Sequence, residues 1–464
     1  MSIQSPANPL DSIRARGFTA VLRNPYFLAL WIAEIVSTTA LNGAFFLQIV
    51  LVEELTRSSA HLAAVILAFS LPAVLLSAMA GLLVDRVPKK YILIGSNALR
   101  VVTGVGLALI ASSMLANHVS ETIFLIEIYI LVFLASAIGQ FFAPAEGALI
   151  PLIVSKSNLL PANSLFTITL TASQVLGIVI LAPLGIKTIG IVGSLWSAVV
   201  LYAIATLLVA FVPRDQPAQK NNFDGLSAAQ RAWNEIREGW QYTLRHRAIL
   251  VAVLQLALVS MMTLIMAMLA PGFAARVLGL GTEDVTVVFW PAGVGIFLAG
   301  IFVGRFGHYI AREYLAALGM IVLALNLLGL AWAGGGVGPL DLPLFREHPE
   351  LLLNTTAFVM IFSLGIGLAM ALINIPAQTV VQEKAADVVR GRVLAVQFTL
   401  SNAFAIPPML FIGNLADRIG IPQITLTLAV LMMIFAISNL VWAILQSRTS
   451  QPNEPRLETT RSDS

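Results

Sequence analysis

The sequence predicts an all-α membrane protein of twelve transmembrane helices in two parallel six-helix repeats, on three observations. The first is composition. Of 464 residues, 58% are apolar and 11% charged, and mean hydropathy is +0.88, whereas soluble domains are about 45–50% apolar and about 25% charged. The apolar share is enough for roughly a dozen spans of about 20 residues each. The second is charge placement. With spans alternating from a cytoplasmic N-terminus, 21 of the 27 Lys and Arg fall in cytoplasmic connections or termini and five outside, Arg100 lying within a span. That asymmetry places both chain ends in the cytoplasm and requires an even number of spans. The third is an internal echo. Gly81-Leu82-Leu83-Val84-Asp85-Arg86 closes the second span and Gly300-Ile301-Phe302-Val303-Gly304-Arg305 the eighth, while Pro144-Ala145-Glu146 and Pro376-Ala377-Gln378 precede the fifth and eleventh. Six spans per copy bring the second copy in from the same side, so the repeats are parallel.

The elements follow in order. Residues 1–26 are polar, carry Pro6, Pro9 and Pro25, and show no cleavable leader. The first bundle, 27–212, holds spans at 27–51, 62–84, 91–115, 122–142, 162–184 and 189–212. The linker 213–247 places Leu226, Ala229, Trp233, Ile236, Trp240 and Leu244 at helical spacing within a charged stretch, predicting an amphipathic helix at the inner membrane surface. The second bundle, 248–446, holds spans at 248–271, 286–304, 310–333, 351–373, 393–413 and 422–446. The tail 447–464 is polar and expected to be disordered.

Several chemistries are excluded. Without cysteine there is no disulfide, thiolate metal site or thiol nucleophile. A net charge of +3 does not make a nucleic-acid surface. The five histidines fall in loops without ligand spacing, and no Ser/His/Asp arrangement converges, so neither an enzyme nor a metal or other cofactor is expected. The Gly-rich stretch 334–338 lacks the Lys-Ser/Thr of a nucleotide loop. Energy for any active transport must therefore come from an ion gradient or the membrane potential.

At this point the motifs carry a resemblance. Gly81-x-x-x-Asp85-Arg86-x-Pro88-Lys89-Lys90 resembles the cytoplasmic loop signature of the major facilitator superfamily. Asn24-Pro25-Tyr26-Phe27 with Trp31, Phe142-Ala143-Pro144-Ala145 with Leu149-Ile150-Pro151 and Ala162-Asn163, Trp233 to Trp240, Gln382-Glu383 and Arg390-Gly391-Arg392 resemble its bacterial drug-efflux branch, which includes macrolide and siderophore exporters. The chain has Pro88 where the signature carries Gly, and Gly304 where a second Asp would stand. It has Gly177-x-x-x-x-Ala182-Pro183-x-Gly185 in place of the antiporter pattern of helix 5. The resemblance implies a multi-pass protein of the bacterial inner membrane, exporting an amphipathic small molecule in exchange for protons. It also implies that Gly81, Asp85, Arg86, Lys89, Lys90 and, in the second copy, Arg305 form a cytoplasmic gate or latch.

The residues themselves point to a path between the bundles. Glu34 and Arg100 lie at similar depth in spans 1 and 3, and an isolated charge in hydrocarbon costs at least about 2.5–3.5 kcal/mol. Glu34 is therefore either half of a structural ion pair with Arg100 or a proton- or substrate-contacting group; Glu127 is interfacial. Glu34, Thr38 and Asn42 share one helix face, as do Asn163, Thr167, Thr171 and Gln174. Gln255, Gln397, Ser401 and Asn402 offer polar positions in the second half. These are the expected cavity residues, with Phe45, Phe46, Met261, Met262, Met266 and Met268 as adaptable apolar contacts. The expected partners are an amphipathic small molecule, protons and membrane lipid, with a monomer as default. A lysophospholipid or siderophore substrate, an uptake direction, and a non-transporting receptor or scaffold remain alternatives.

Overall fold

A computed structural model describes residues 18–115, 120–155, 158–215, 237–281, 284–335 and 355–449. Residues 1–17, the tail from 450, and the linker positions Leu226, Ala229, Trp233 and Ile236 lie outside the described residues. Among the described residues all regular structure is helical.

A short α1 (Phe18–Leu22) leads to α2 (Pro25–Thr56). Asn24 starts α2 by accepting hydrogen bonds from the amides of Tyr26 (3.0 Å) and Phe27 (3.4 Å), with Pro25 at the first position. Its side-chain amide donates to the carbonyl of Ile153 at 2.7 Å, fixing the start of α2 against the end of a later helix. Arg57, left-handed at φ 46°, ends α2, and Ser58 caps α3 (Ser59–Arg86). Then follow α4 (Lys89–Leu115), α5 (Glu121–Ile153) and α6 (Leu159–Val175), the last running through a π-helical turn at Leu176–Leu181 into α7 (Ala182–Ala210). Gly190, at φ +74°, breaks α7 between the two predicted spans. After the linker come α8 (237–245), α9 (Arg247–Gly272) with a π-helical turn at Phe273–Val277, α10 (Val285–Phe289) and α11 (Pro291–Phe306). The chain closes with α12 (Arg312–Ala333), α13 (Thr355–Lys384), α14 (Asp387–Ile419) and α15 (Ile421–Thr449).

Among the described residues eight helical stretches are long and apolar enough to cross a membrane; Ser59–Ala73 and Pro291–Phe306 are apolar but shorter. One of these stretches, 161–210, covers two of the twelve predicted spans, on either side of the Gly190 break. α2 and α5 overrun their predicted spans. In α5 the helix passes through Pro144 and Pro151 to Ile153 rather than ending near 142, which brings Glu146 inside the helix.

Helices alternate in direction, so the bundle has two ends. The near end holds the start of α2 and the loops before α4, α6, α12 and α14. The far end holds Arg57, Arg276, Asp284 and the end of α14. At the far end one apolar core joins both halves, with Leu47, Val50, Leu62 and Ile66 of the first and Met262, Ile265, Met409 and Ala416 of the second. Toward the near end each half keeps a core of its own, one around Phe27, Leu30, Leu93, Leu149 and Phe166, the other around Ile249, Leu256, Val381 and Val393.

Candidate functional site

The first half buries a cluster of ionisable and polar side chains between α2, α4 and α5. Glu34, Asn97, Arg100 and Glu146 are 2%, 0%, 3% and 7% exposed. Their positions follow from helical spacing: Glu34, Ser37 and Thr38 lie on one side of α2, and Asn97 and Arg100 are a turn apart on α4. Arg100 donates to Ser37 Oγ at 2.6 Å and to Asn97 Oδ1 at 3.4 Å, and its guanidinium stands 4.8 Å from the centre of the Phe142 ring. Ser37 Oγ donates to Asn97 Oδ1 at 2.7 Å, and Thr38 Oγ1 donates to Glu34 at 2.9 Å. The carboxyls of Glu34 and Glu146 face each other and the charge of Arg100.

The expected direct Glu34–Arg100 ion pair does not form. The guanidinium is occupied by Ser37 and Asn97, and no ion pair joins it to Glu34 among the described residues. Among the described residues, Asn97 Nδ2 and Arg100 Nε have no hydrogen-bond partner, and Glu34 Oε2 and Glu146 Oε1 have none beyond the contact between the two carboxyls. A carboxyl–carboxyl contact is a hydrogen bond only when one of the two is protonated. Two carboxyls and one guanidinium reach zero net charge only with one proton aboard. Glu146 was legible only as part of a loop motif, because the sequence reading ended its span at residue 142.

The first polar stripe continues along α2, where Asn42 Nδ2 donates to the Thr38 carbonyl at 2.8 Å. α6 meets this helix through a face other than its polar stripe. Trp31 Nε1 donates to Thr169 Oγ1 at 2.8 Å, Ser173 Oγ to the Ile35 carbonyl at 3.4 Å, and Gly177 sits directly against α2. A Cβ on Gly177 would lie 2.5 Å from the Thr39 carbonyl oxygen and 2.9 Å from Asn42 Cβ. Asn163 and Gln174 are exposed beside this contact; the side chains of Thr167 and Thr171 lie outside the described residues. In the second half Gln255 is buried and lines a cleft with Val251, Arg312, Pro376 and Val380. Gln397 is half-buried, Ser401 is buried with a hydroxyl that has no partner among the described residues, and the side chain of Asn402 lies outside the described residues. Phe45 packs on Phe69 at 4.2 Å between ring centres. Met262 and Met268 are buried in the joint core, which gives them a packing role, whereas Met261 and Met266 are half-buried.

At the near end Lys89 and Lys90 are held by Asp215 and the Ala210 carbonyl. Asp215 accepts from the amides of Lys89 (2.9 Å) and Lys90 (3.1 Å), capping α4, and pairs with Lys89 Nζ at 3.5 Å. Lys90 Nζ donates to the Ala210 carbonyl at 2.8 Å. Burial opposes the charge on Asp215, but the two amides and the Lys89 ammonium outweigh it and hold its carboxyl below the usual value. Arg305 is exposed. The side chains of Asp85 and Arg86, and the surroundings of Gly81, lie outside the described residues. On the second half, Arg312 pairs with Glu383 at the same end.

Charges missed by the sequence reading join the halves at the far end. Arg276 pairs with Glu53 and with Asp417, each at 3.1 Å, and donates to the Arg57 carbonyl and to Ser59 Oγ. Asp417 also accepts from Ser58 Oγ, Ser59 N and Ala60 N. Lys187 and Asp284 form a further cross-half pair at 2.6 Å. Residues 53, 276 and 417 are too far apart in sequence for spacing to connect them.

Residues 27–408 match the sequence profile of the Major Facilitator Superfamily. Two relatives from Bacillus subtilis (strain 168) are described as uncharacterized MFS-type transporters. YfiS is 24% identical over 392 residues, covering 84% of this chain and 86% of its own; YkuC is 23% identical over 356 residues, covering 72% and 79%. Among solved structures, the nucleoside transporter NupG superposes with a TM-score of 0.68 at 13% identity, covering 90% of this chain and 98% of its own. A bacterial homologue of the human lysosomal transporter Spinster, solved inward-facing and unoccupied, gives 0.60 at 12% identity, covering 91% and 96%. At these identities the likeness is one of fold.

Proposed function

The chain belongs to the Major Facilitator Superfamily, and from that premise we propose that it works by alternating access, exporting amphipathic small molecules in exchange for protons. It is a multi-pass membrane transporter and not an enzyme. The finer reading takes the helices as twelve spans in two six-helix repeats, with the Gly190 break separating two spans and α10 with α11 forming one. Both termini face the cytoplasm of a bacterial inner membrane, and the near end is the cytoplasmic end. The joint far-end core with separate near-end cores then corresponds to a state closed outside.

The observation that carries proton coupling is the buried trio of Glu34, Glu146 and Arg100, two facing carboxyls for one guanidinium. Loading or releasing one proton changes its net charge by one, and a buried net charge is costly. That couples protonation to any movement that changes the water access of α2. Thr38, Asn42, Asn163, Gln174, Gln255 and Gln397 supply polar contacts, and few ionisable groups line the proposed path, which favours amphipathic substrates over phosphates or dicarboxylates. Gly81, Asp85 and Arg86, with Arg305 in the second copy, act as the cytoplasmic latch, and Lys89 and Lys90 anchor it through Asp215.

The test is substrate-driven proton flux in proteoliposomes across a chemically broad panel of amphiphiles. Wild type is expected to move protons when substrate is added. Glu34→Gln and Glu146→Gln are expected to retain substrate binding and lose the flux. Unchanged flux in both variants refutes proton coupling at this site.

A further inference from the structure

The far end of α14 carries a sequence pattern that also closes α3. Gly413-x-Leu415-x-Asp417-Arg418 repeats Gly81-x-Leu83-x-Asp85-Arg86, and each stands at the C-terminal end of its helix. α3 runs toward the near end and α14 toward the far end, and the two pack against each other across the seam. The first copy thus ends at the end of the bundle where α14 begins, and the second where α3 begins.

The structure shows what the second copy does. A Cβ on Gly413 would lie 2.9 Å from the Ser59 carbonyl oxygen and 3.2 Å from Ala63 Cβ, so glycine permits the backbone of α3 to reach α14. One turn on, Asp417 caps α3, accepting from Ser58 Oγ (2.6 Å), Ser59 N (2.7 Å) and Ala60 N (3.0 Å). Arg276, arriving from the end of α9, clamps this carboxylate at 3.1 Å and Glu53 at 3.1 Å. A helix end in one half is therefore capped by a side chain of the other, and the same carboxylate is pinned by a third element.

We propose that Gly413, Asp417 and Arg276 form a far-side latch that holds the two halves together, a counterpart built on the same six-residue pattern as the near-side one. The two patterns sit on one helix pair at opposite ends, so engagement of one accompanies release of the other. This rests on the alternating-access reading. Gly413 and Asp417 are positioning residues; they set which end of the path is closed and touch no substrate.

The absence of native cysteine makes the test direct. Spin labels at Lys187→Cys and Asp284→Cys report the far end, and labels at Ser155→Cys and Lys384→Cys the near end. Each pair is placed in otherwise wild-type protein and in Asp417→Asn, Gly413→Ala and Arg276→Gln, all in lipid nanodiscs. The latch predicts a long far-end distance whose population rises roughly fivefold or more, the ratio change for losing one cap or one charge-assisted bond. The near-end distance shortens in the same samples. A far-end distribution unchanged in folded Asp417→Asn and Gly413→Ala overturns the latch. If the far end opens while the near end stays fixed, the latch stands and the alternating-access reading falls. If added substrate shifts both distances in wild type but the variants match wild type, the reading stands and the latch falls. Should one variant fail to fold, the other two decide.

Discussion

Replacing Arg100 by methionine removes the only cation in the buried trio while keeping much of its volume. The change deletes the 2.6 Å bond to Ser37 and the contact with the Phe142 ring, and leaves Glu34 and Glu146 facing each other unbalanced. Breaking a buried ionic arrangement by removing one partner costs about 3–5 kcal/mol. Arg100→Met should therefore lose about that much stability, measured by reversible denaturant titration in mixed micelles. Adding Glu146→Gln removes one of the two orphaned carboxyls and should restore about half of the loss. The double-mutant cycle should show a coupling of 0.5–3 kcal/mol, as expected for groups in one network. Arg100→Met within about 1 kcal/mol of wild type, or a strictly additive double variant, would refute the claim that these residues act as one electrostatic unit.

Further predictions follow from single contacts. Gly177→Ala should destabilise the protein by about 1–3 kcal/mol or more, because the new methyl meets α2 backbone that cannot yield; a melting temperature equal to wild type would remove the close α2–α6 approach. Asp215→Asn should weaken the tie to α4 by about 1 kcal/mol at neutral pH. Since the folded-state value of Asp215 is depressed, its contribution is present above the ordinary carboxylate range near pH 3.9 and is lost as pH falls through the folded value. Wild type should thus show an acid-dependent loss that Asp215→Asn lacks. Lys187→Met should change stability by less than about 1 kcal/mol, since its pair with Asp284 is partly solvated; a loss above about 2 kcal/mol would mean the far end depends on this pair.

The helices were legible because a bilayer leaves the chain little choice: apolar stretches must satisfy their own backbones. The charge cluster was half legible. Glu34 and Arg100 stood out as charges within apolar runs, but Glu146 fell outside the predicted span 122–142. In the structure Pro144 and Pro151 lie inside α5. On α6 the sequence offered the polar stripe of Asn163, Thr167, Thr171 and Gln174 as cavity lining; the contact with α2 is a separate feature, made by Thr169, Ser173 and Gly177, which polar periodicity does not mark out as a helix contact. Glu53 and Arg276 were invisible for a different reason: lone residues at helix ends carry no pattern until the fold brings those ends together, and only Asp417 sits in a repeated motif.

The joint core at one end of the bundle also sets its mechanics. At 1.5 Å of rise per residue the 32 residues of α2 make a rod about 48 Å long. With its pivot at the far end, a tilt of only about 5° sweeps the opposite tip through about 4 Å. Such a swing disturbs side-chain packing near the fulcrum by tenths of an ångström while admitting a water molecule, or the edge of an aromatic ring, at the mouth. A long lever of this kind lets a modest torque act over a large aperture.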